Sequence, residues 1–310
     1  MLSPFSPQPR VLDLDGSLRR QTAFLRESNA FVQPLETFGP HLRYICRRAE
    51  RQSFERRLDP AMRHHLTFYG SGDFHHLTFS LLKAHREPLS VVVFDQHPDW
   101  DVTSPWPCCG TWVNDALRLP HVERVIVLGA GEEDLGDVQL WRGHRAALLS
   151  GRLEIYPATL PWSLWPGLTT QRLACGTRRG ARFRWKTLKE AGWNAILDDV
   201  LRRIGGKNLY VSVDKDCFTR QNAISNWDAG ELALDDVCAA IARLRGACTL
   251  VGADVTGEWS APRIASGWVR ALSRADHPPL AQPSDDELAR NETTNRRLWH
   301  AFREGAWESS

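Results

Sequence analysis

The chain has 310 residues, with 39 Lys and Arg against 37 Asp and Glu. The resulting net charge of +2 marks neither a nucleic-acid-binding nor a membrane-surface protein. An apolar fraction of 42% suits a chain that buries a large core, and no stretch approaches the length of a membrane-spanning helix. Taken in chain order, residues 1–35 contain prolines and arginines with weak periodicity, so 1–60 is expected to form a peripheral segment of a single domain covering 1–310. An Arg-rich segment at 41–65 reads as mainly helical. Strands are expected near 65–70, 90–96, 123–129, 152–156, 208–214 and 248–254. Helices are expected near 73–86, 112–118, 136–149, 186–204, 234–245 and 285–305. Strands alternating with helices imply a mostly parallel sheet covered on both faces, a three-layer α/β/α architecture. The basic stretch 172–186, interleaved with Phe183 and Trp185, reads as a solvated loop more readily than as an anion-binding face.

Seven cysteines, odd in number and without a Cys-x-x-Cys pair, suggest reduced thiols and a cytoplasmic protein. The opening Met1–Leu2–Ser3–Pro4 has no basic-then-apolar signal pattern. Thirteen tryptophans are many for this length, and several, among them Trp100, Trp106, Trp112, Trp227 and Trp259, lie near the polar motifs. Those five could line a pocket as well as fill a core.

The chemistry concentrates where apolar runs end. Val91–Val92–Val93–Phe94 leads into Asp95, His97 and Asp99, spaced two apart and therefore expected on one side of an extended segment. Leu209–Tyr210–Val211–Ser212–Val213 leads into Asp214 and Asp216 in the same way. Earlier, Phe68–Tyr69–Gly70–Ser71–Gly72–Asp73–Phe74–His75–His76 turns through glycines into a helix start bearing two imidazoles. In open parallel sheets, sites form at the carboxyl ends of strands. Carboxylates gathered there would repel one another unless a cation lay between them.

These motifs resemble those of the arginase/agmatinase/formiminoglutamase superfamily, the ureohydrolases, over about Tyr69 to Pro262. Gly72–Asp73–Phe74–His75–His76 is similar to the family's Gly-Gly-Asp-His-Ser. Asp95–Gln96–His97–Pro98–Asp99 is similar to its Asp-Ala-His-x-Asp, and Ser212–Val213–Asp214–Lys215–Asp216 to its Ser-x-Asp-x-Asp. The resemblance implies two manganese ions per chain. One would be held by His75, Asp95, Asp99 and Asp214, the other by Asp95, His97, Asp214 and Asp216, with Asp95 and Asp214 bridging. His75 is preferred to His76 because Leu77–Thr78 then continues as the family's helix does. An oxygen-rich set with one imidazole per ion suits Mn²⁺ better than thiolate-seeking zinc. The implied activity is hydrolysis of a C–N bond in a small or peptidyl guanidino or amidino compound, by a metal-bridging hydroxide that Asp99 orients.

Three departures accompany the resemblance. Cys109, in Cys108–Cys109–Gly110–Thr111–Trp112, stands where relatives carry a proton-shuttling histidine, so a thiol would supply that proton. The family's Pro- and Gly-rich substrate loop is replaced by Ser225–Asn226–Trp227–Asp228–Ala229–Gly230. Glu258 matches the late Asp-x-x-Glu only with one residue extra after Asp254. Glu258 is nevertheless expected to pair with a planar cation, with Trp227 and Trp259 stacking on it. Two other readings remain open: a metal-dependent amide hydrolase or deacetylase on the same fold, and a non-catalytic binding protein that retains a metal pair. Association of the chain with itself is left open.

Overall fold

The computed structural model describes residues 4–132, 134–136, 139–168, 170–278 and 282–304. Twelve strands are present among them: β1 (Ser6–Asp13), β2 (Phe31–Pro34), β3 (His65–Phe68), β4 (Leu89–Phe94), β5 (Val122–Leu128), β6 (Leu153–Tyr156), β7 (Trp162–Leu164), β8 (Arg172–Leu173), β9 (Gly176–Arg179), β10 (Arg182–Trp185), β11 (Asn208–Asp214) and β12 (Thr249–Thr256). Eight form one sheet in the order β2-β1-β3-β12-β11-β4-β5-β6, and every pairing in it is parallel. Helices flank this sheet as the outer layers of an α/β/α sandwich. Trp193–Ile204, Leu234–Ala247 and Asp285–Glu304 pack side by side, while Thr78–Leu82 packs on Trp112–Leu117, which lies against β5.

The central strands are apolar throughout because both of their faces are covered. All six residues of β4 are buried, and burial of each of its valines contributes roughly 1.5–3 kcal/mol. The helix Trp193–Ile204 buries Ile196, Leu197, Val200 and Ile204 along one stripe and stops at Gly205, which takes the left-handed conformation that a glycine C-cap allows.

The first sixty residues are not wholly peripheral, since they supply two strands of the main sheet. β1 lies inside the sheet between β2 and β3, with its last five residues buried. Its two prolines fall at the start, where the pairing with β3 slips between Ser6 and Pro9, so Arg10 to Asp13 carry the regular pairing. The basic stretch 172–186 is not a loop either. It builds most of a second, antiparallel sheet ordered β7-β10-β9-β8. In β10, Phe183 and Trp185 enter the core while Arg182 and Arg184 face out. Among the described residues no helix is long and apolar enough to cross a membrane.

Candidate metal centre

The carboxyl ends of β3, β4 and β11 meet in a cavity of about 400 Å³. All six candidate ligands line it: His75, Asp95, His97, Asp99, Asp214 and Asp216. His75 comes from the short 3-10 helix Gly72–Leu77 that follows β3, and the Ser71 side chain caps that helix by accepting from Asp73 N. Gly72 is needed here, because a Cβ would come within 2.8 Å of Asp214 Oδ2.

His75 Nδ1 faces three carboxylates, at 3.0 Å from Asp95 Oδ2, 3.1 Å from Asp99 Oδ2 and 3.4 Å from Asp214 Oδ2. Its other nitrogen meets Ser212 Oγ at 3.0 Å, and Ser212 donates in turn to Asp254. An imidazole aimed at a cation site and braced from behind in this way is typical of metal ligation. His76 points elsewhere, to Cys46 Sγ at 3.5 Å, and burial pushes it down to about 3.

β4 ends at Phe94, and the chain then turns. Asp95 Oδ1 accepts from His97 N at 2.7 Å, so a side-chain-closed turn, rather than a continued strand, brings Asp95 and His97 together. His97 Nδ1 lies 3.1 Å from Asp216 Oδ2. Asp99 takes a left-handed backbone (φ +46°), which costs a non-glycine residue about 1–2 kcal/mol. Two contacts hold it there: Trp112 Nε1 donates to Asp99 Oδ2 at 2.6 Å, and Val113 N donates to Asp99 O at 3.2 Å. Asp214 accepts from Asp216 N at 3.1 Å, which folds the end of β11 as the turn does after β4.

The donor set contains two groups that could each hold a cation. One atom from each of His75, Asp95 and Asp99 forms a group within 4.8 Å, and so does one from each of Asp95, His97 and Asp216. Asp95 belongs to both groups. Its buried Oδ2 has no hydrogen-bond partner, although His75 Nδ1 is near. Burial, together with the neighbouring Asp99 and Asp216, pushes Asp95 well above the usual carboxylate range, and burial with Asp216 pushes Asp214 up to about 8. Divalent cations would reverse both shifts and ionise the cluster.

The remaining wall is mixed. Cys109 lies on the cavity beside Tyr44 and Asp99, and burial, then Cys108 and Asp99, push its thiol well up. Trp227 lines the cavity with its ring 5.4 Å from that of His97, edge to face. Asp134, Asp228 and Asp276 lie around the same cavity; Asp276 accepts from Tyr44 Oη, and the cavity's Arg142 is paired with Asp101.

Two residues expected to meet the substrate, Glu258 and Trp259, do not line this cavity. Glu258 is buried behind the centre, where it pairs with Lys215 Nζ and accepts from Asn295 at 2.6 Å and Asn291 at 2.9 Å. Gly257, just before it, takes a left-handed turn (φ +89°) in which a Cβ would collide with Asp214 Oδ1. Trp259 opens onto a separate cleft of about 80 Å³ that it shares with Trp227 and Arg220.

Arg43 and His277 carry no motif but organise the wall. The buried Arg43 guanidinium donates to Asp73, Ser71, Asn226 and Ser260, tying three loops together. His277 meets Asp73 Oδ1 at 2.7 Å, and its ring lies 4.1 Å from that of Trp227. An isolated arginine and a late histidine have no spacing by which sequence could single them out.

No family model matches the chain. A curated protein from Thermotoga maritima, described only as uncharacterized, is 25% identical over 252 residues, 81% of this chain and 80% of that protein. Among solved structures, arginase from Bacillus subtilis superposes with a TM-score of 0.60 at 13% identity, covering 96% of this chain and 98% of that one. Formimidoylglutamase from Bacillus subtilis gives 0.56 at 14%, covering 95% and 86%. Proclavaminate amidino hydrolase from Streptomyces clavuligerus gives 0.53 at 16%, covering 97% and 95%. The chain therefore has the arginase-type α/β/α fold that these hydrolases share, far diverged from them in sequence.

Proposed function

We propose that the protein is a divergent ureohydrolase: a binuclear, manganese-dependent hydrolase of a C–N bond in a guanidino or amidino compound. The observation that carries this reading is Asp95, shared between two ligand groups at the carboxyl edge of an arginase-type sheet. His75, Asp95, Asp99 and Asp214 would hold one ion, and Asp95, His97, Asp214 and Asp216 the other. When bound, the pair would lower the pKa of a water and polarise a trigonal carbon beside it.

The chain's own groups then have separate tasks. Asp99, fixed by Trp112, would orient the attacking water. Cys109, whose thiol stays protonated at neutral pH, would hand its proton to the departing nitrogen. Trp227 offers an apolar wall for a flat substrate, and Asp134, Asp228 and Asp276 favour a positively charged one. Catalysis would take place among reduced thiols, consistent with a cytoplasmic enzyme.

The test is metal analysis of manganese-supplemented protein, followed by urea and ammonia detection across arginine, agmatine, guanidinobutyrate, hydroxyarginine and a peptidyl arginine. Two ions per chain and metal-dependent release from one of these are expected. A single tightly held zinc with no second ion would overturn the binuclear reading. The buried Glu258 specifically favours a second reading, an amide hydrolase on the same fold. Release of a carboxylic acid and an amine, with no urea, would select it.

A further inference from the structure

The opposite edge of the sheet carries a second group of metal-binding side chains. His64 immediately precedes β3, while His85 and Glu87 precede β4. In the sheet these strands are separated by β12 and β11, so the three side chains meet over the amino ends of that central pair. One donor atom from each lies within 4.8 Å of the others.

Local structure presents both imidazoles for ligation. Between β11 and β12 the register slips: Leu209 pairs with Leu250 but Tyr210 with Gly252, which leaves Val251 without a partner on β11. Val251 O is met instead by His64 Nδ1 at 2.6 Å. A carbonyl only accepts, so Nδ1 carries the proton and His64 Nε2 is a bare lone pair. His85, which has no exposed surface, places its Nδ1 3.0 Å from Glu87 Oε1. Glu87 is held in place by Arg86 N at 3.1 Å from its other oxygen, and despite partial burial its pairing with His85 keeps it ionised, at about 2. His85 Nδ1 therefore also carries a proton, and His85 Nε2 is a bare nitrogen. That atom is buried and has no partner at all. A buried nitrogen left without a partner is unfavourable, and a metal ion would supply one. The ring faces the His64 ring edge to face, with centroids 5.3 Å apart. Each histidine thus donates its Nδ1 proton to a fixed acceptor, a backbone carbonyl in one case and a carboxylate in the other. Metal-ligating histidines are oriented in this way.

We infer that His64 and His85 bind a divalent transition metal of the zinc class through their Nε2 atoms, with Glu87 fixing the His85 tautomer and supplying the negative charge. Paired imidazoles prefer zinc, nickel or copper to manganese, so the site differs in selectivity from the carboxylate-rich cavity at the other edge. The ion would link the segments leading into β3 and β4 across the two strands between them. The inference does not depend on the proposed activity.

The test is equilibrium dialysis of the full chain against Zn²⁺ with excess Mn²⁺ present, counting bound zinc by elemental analysis. Wild type and the cavity variant Asp214→Asn are expected to retain one zinc per chain at this site. His64→Ala should weaken that zinc by at least about tenfold, and Glu87→Gln by a smaller factor. Added Zn²⁺ should also raise the melting temperature of wild type and Asp214→Asn but not of His64→Ala. If His64→Ala does not fold, His64→Gln keeps a donor for Val251 O while removing the imidazole, and should behave the same way. Unchanged zinc binding in the His64 variant, or zinc lost only in Asp214→Asn, would overturn the assignment.

Discussion

On the β4–β11 side of the cavity, three candidate ligands are each held by a hydrogen bond from a neighbour: His97 N closes a turn on Asp95, Trp112 fixes Asp99, and Asp216 N fixes Asp214. On the side formed by 225–230 and 257–259, the carboxylate expected to face the substrate is buried against Lys215 instead. Within one cavity, the side proposed to hold the metals has all its expected residues, while the side proposed to meet the substrate lacks two of its three. A metal centre tolerates little change because all its ligands must converge on the same ions. A substrate wall can be exchanged loop by loop.

The hardest test of the contrast lies on the metal side. Asp95→Ala removes the carboxylate common to both ligand groups, and Asp214→Ala removes the second proposed bridge. Either should leave far less than one manganese per chain and lower turnover by more than about 100-fold, beyond the usual effect of losing an outer hydrogen-bond partner. His97→Ala should chiefly weaken one ion. Elemental analysis after gel filtration checks all three. Retention of two ions in Asp95→Ala would break the comparison at its stronger half.

The next effect belongs to the substrate side and is one of stability. Lys215 and Glu258 are a buried pair with Asn291 and Asn295 as further partners. Glu258→Gln leaves the Lys215 ammonium without its counter-charge, and breaking one half of such a pair costs about 3–5 kcal/mol. Denaturant unfolding should show that loss. The double variant Lys215→Met/Glu258→Met should recover most of it. Were Glu258 a substrate contact instead, the single variant would keep its stability and lose activity on a cationic substrate.

Trp112→Phe keeps the ring and removes the donor to Asp99. A loss of about 10–100-fold in metal affinity or turnover is expected, with little change in melting temperature. Cys109→Ala should lower kcat more than it raises KM, because a proton donor acts in the transition state. The thiol is pushed well up and therefore stays protonated through neutral pH, so a basic limb of the pH–rate profile arising from Cys109 should disappear in the variant. Unchanged turnover and an unchanged profile would reduce Cys109 to packing.

Sequence reveals the metal side more readily than the substrate side for a physical reason. An apolar run ending in acids two apart is a local pattern, and β3, β4, β5, β6, β11 and β12 all fall where such runs predict strands. β1 escapes such a reading because Pro7, Pro9 and Arg10 disguise a strand whose regular pairing begins late. β10 does have a legible signal: Arg182–Phe183–Arg184–Trp185 alternates as a half-buried strand does, but its charge masks its period. Glu258 shows a different limit. Its partners Lys215, Asn291 and Asn295 bury it, and two of the three come from a helix far along the chain that motif matching does not consult. Arg43 is invisible for a third reason, since its four partners come from distant positions in the chain.

The smallest effect separates the two tryptophans expected to share one task. Trp227 lines the metal cavity, with its ring 4.1 Å from that of His277 and 5.4 Å from that of His97, whereas Trp259 belongs to the neighbouring cleft. A flat cation held against an exposed indole face gains about 0.5–1 kcal/mol, which corresponds to roughly a two- to fivefold effect on KM. Trp227→Leu should raise KM by about that factor and leave kcat nearly unchanged, because the wall binds substrate and transition state alike. Trp259→Leu should change neither constant by more than about twofold, since substitutions away from the reacting groups stay within about ±0.5 kcal/mol. Steady-state kinetics of the two variants on the same substrate decide the matter. An equal rise in KM for both would mean that the cleft and the cavity bind one extended substrate, and the boundary between the two walls would have to move outward to include Trp259.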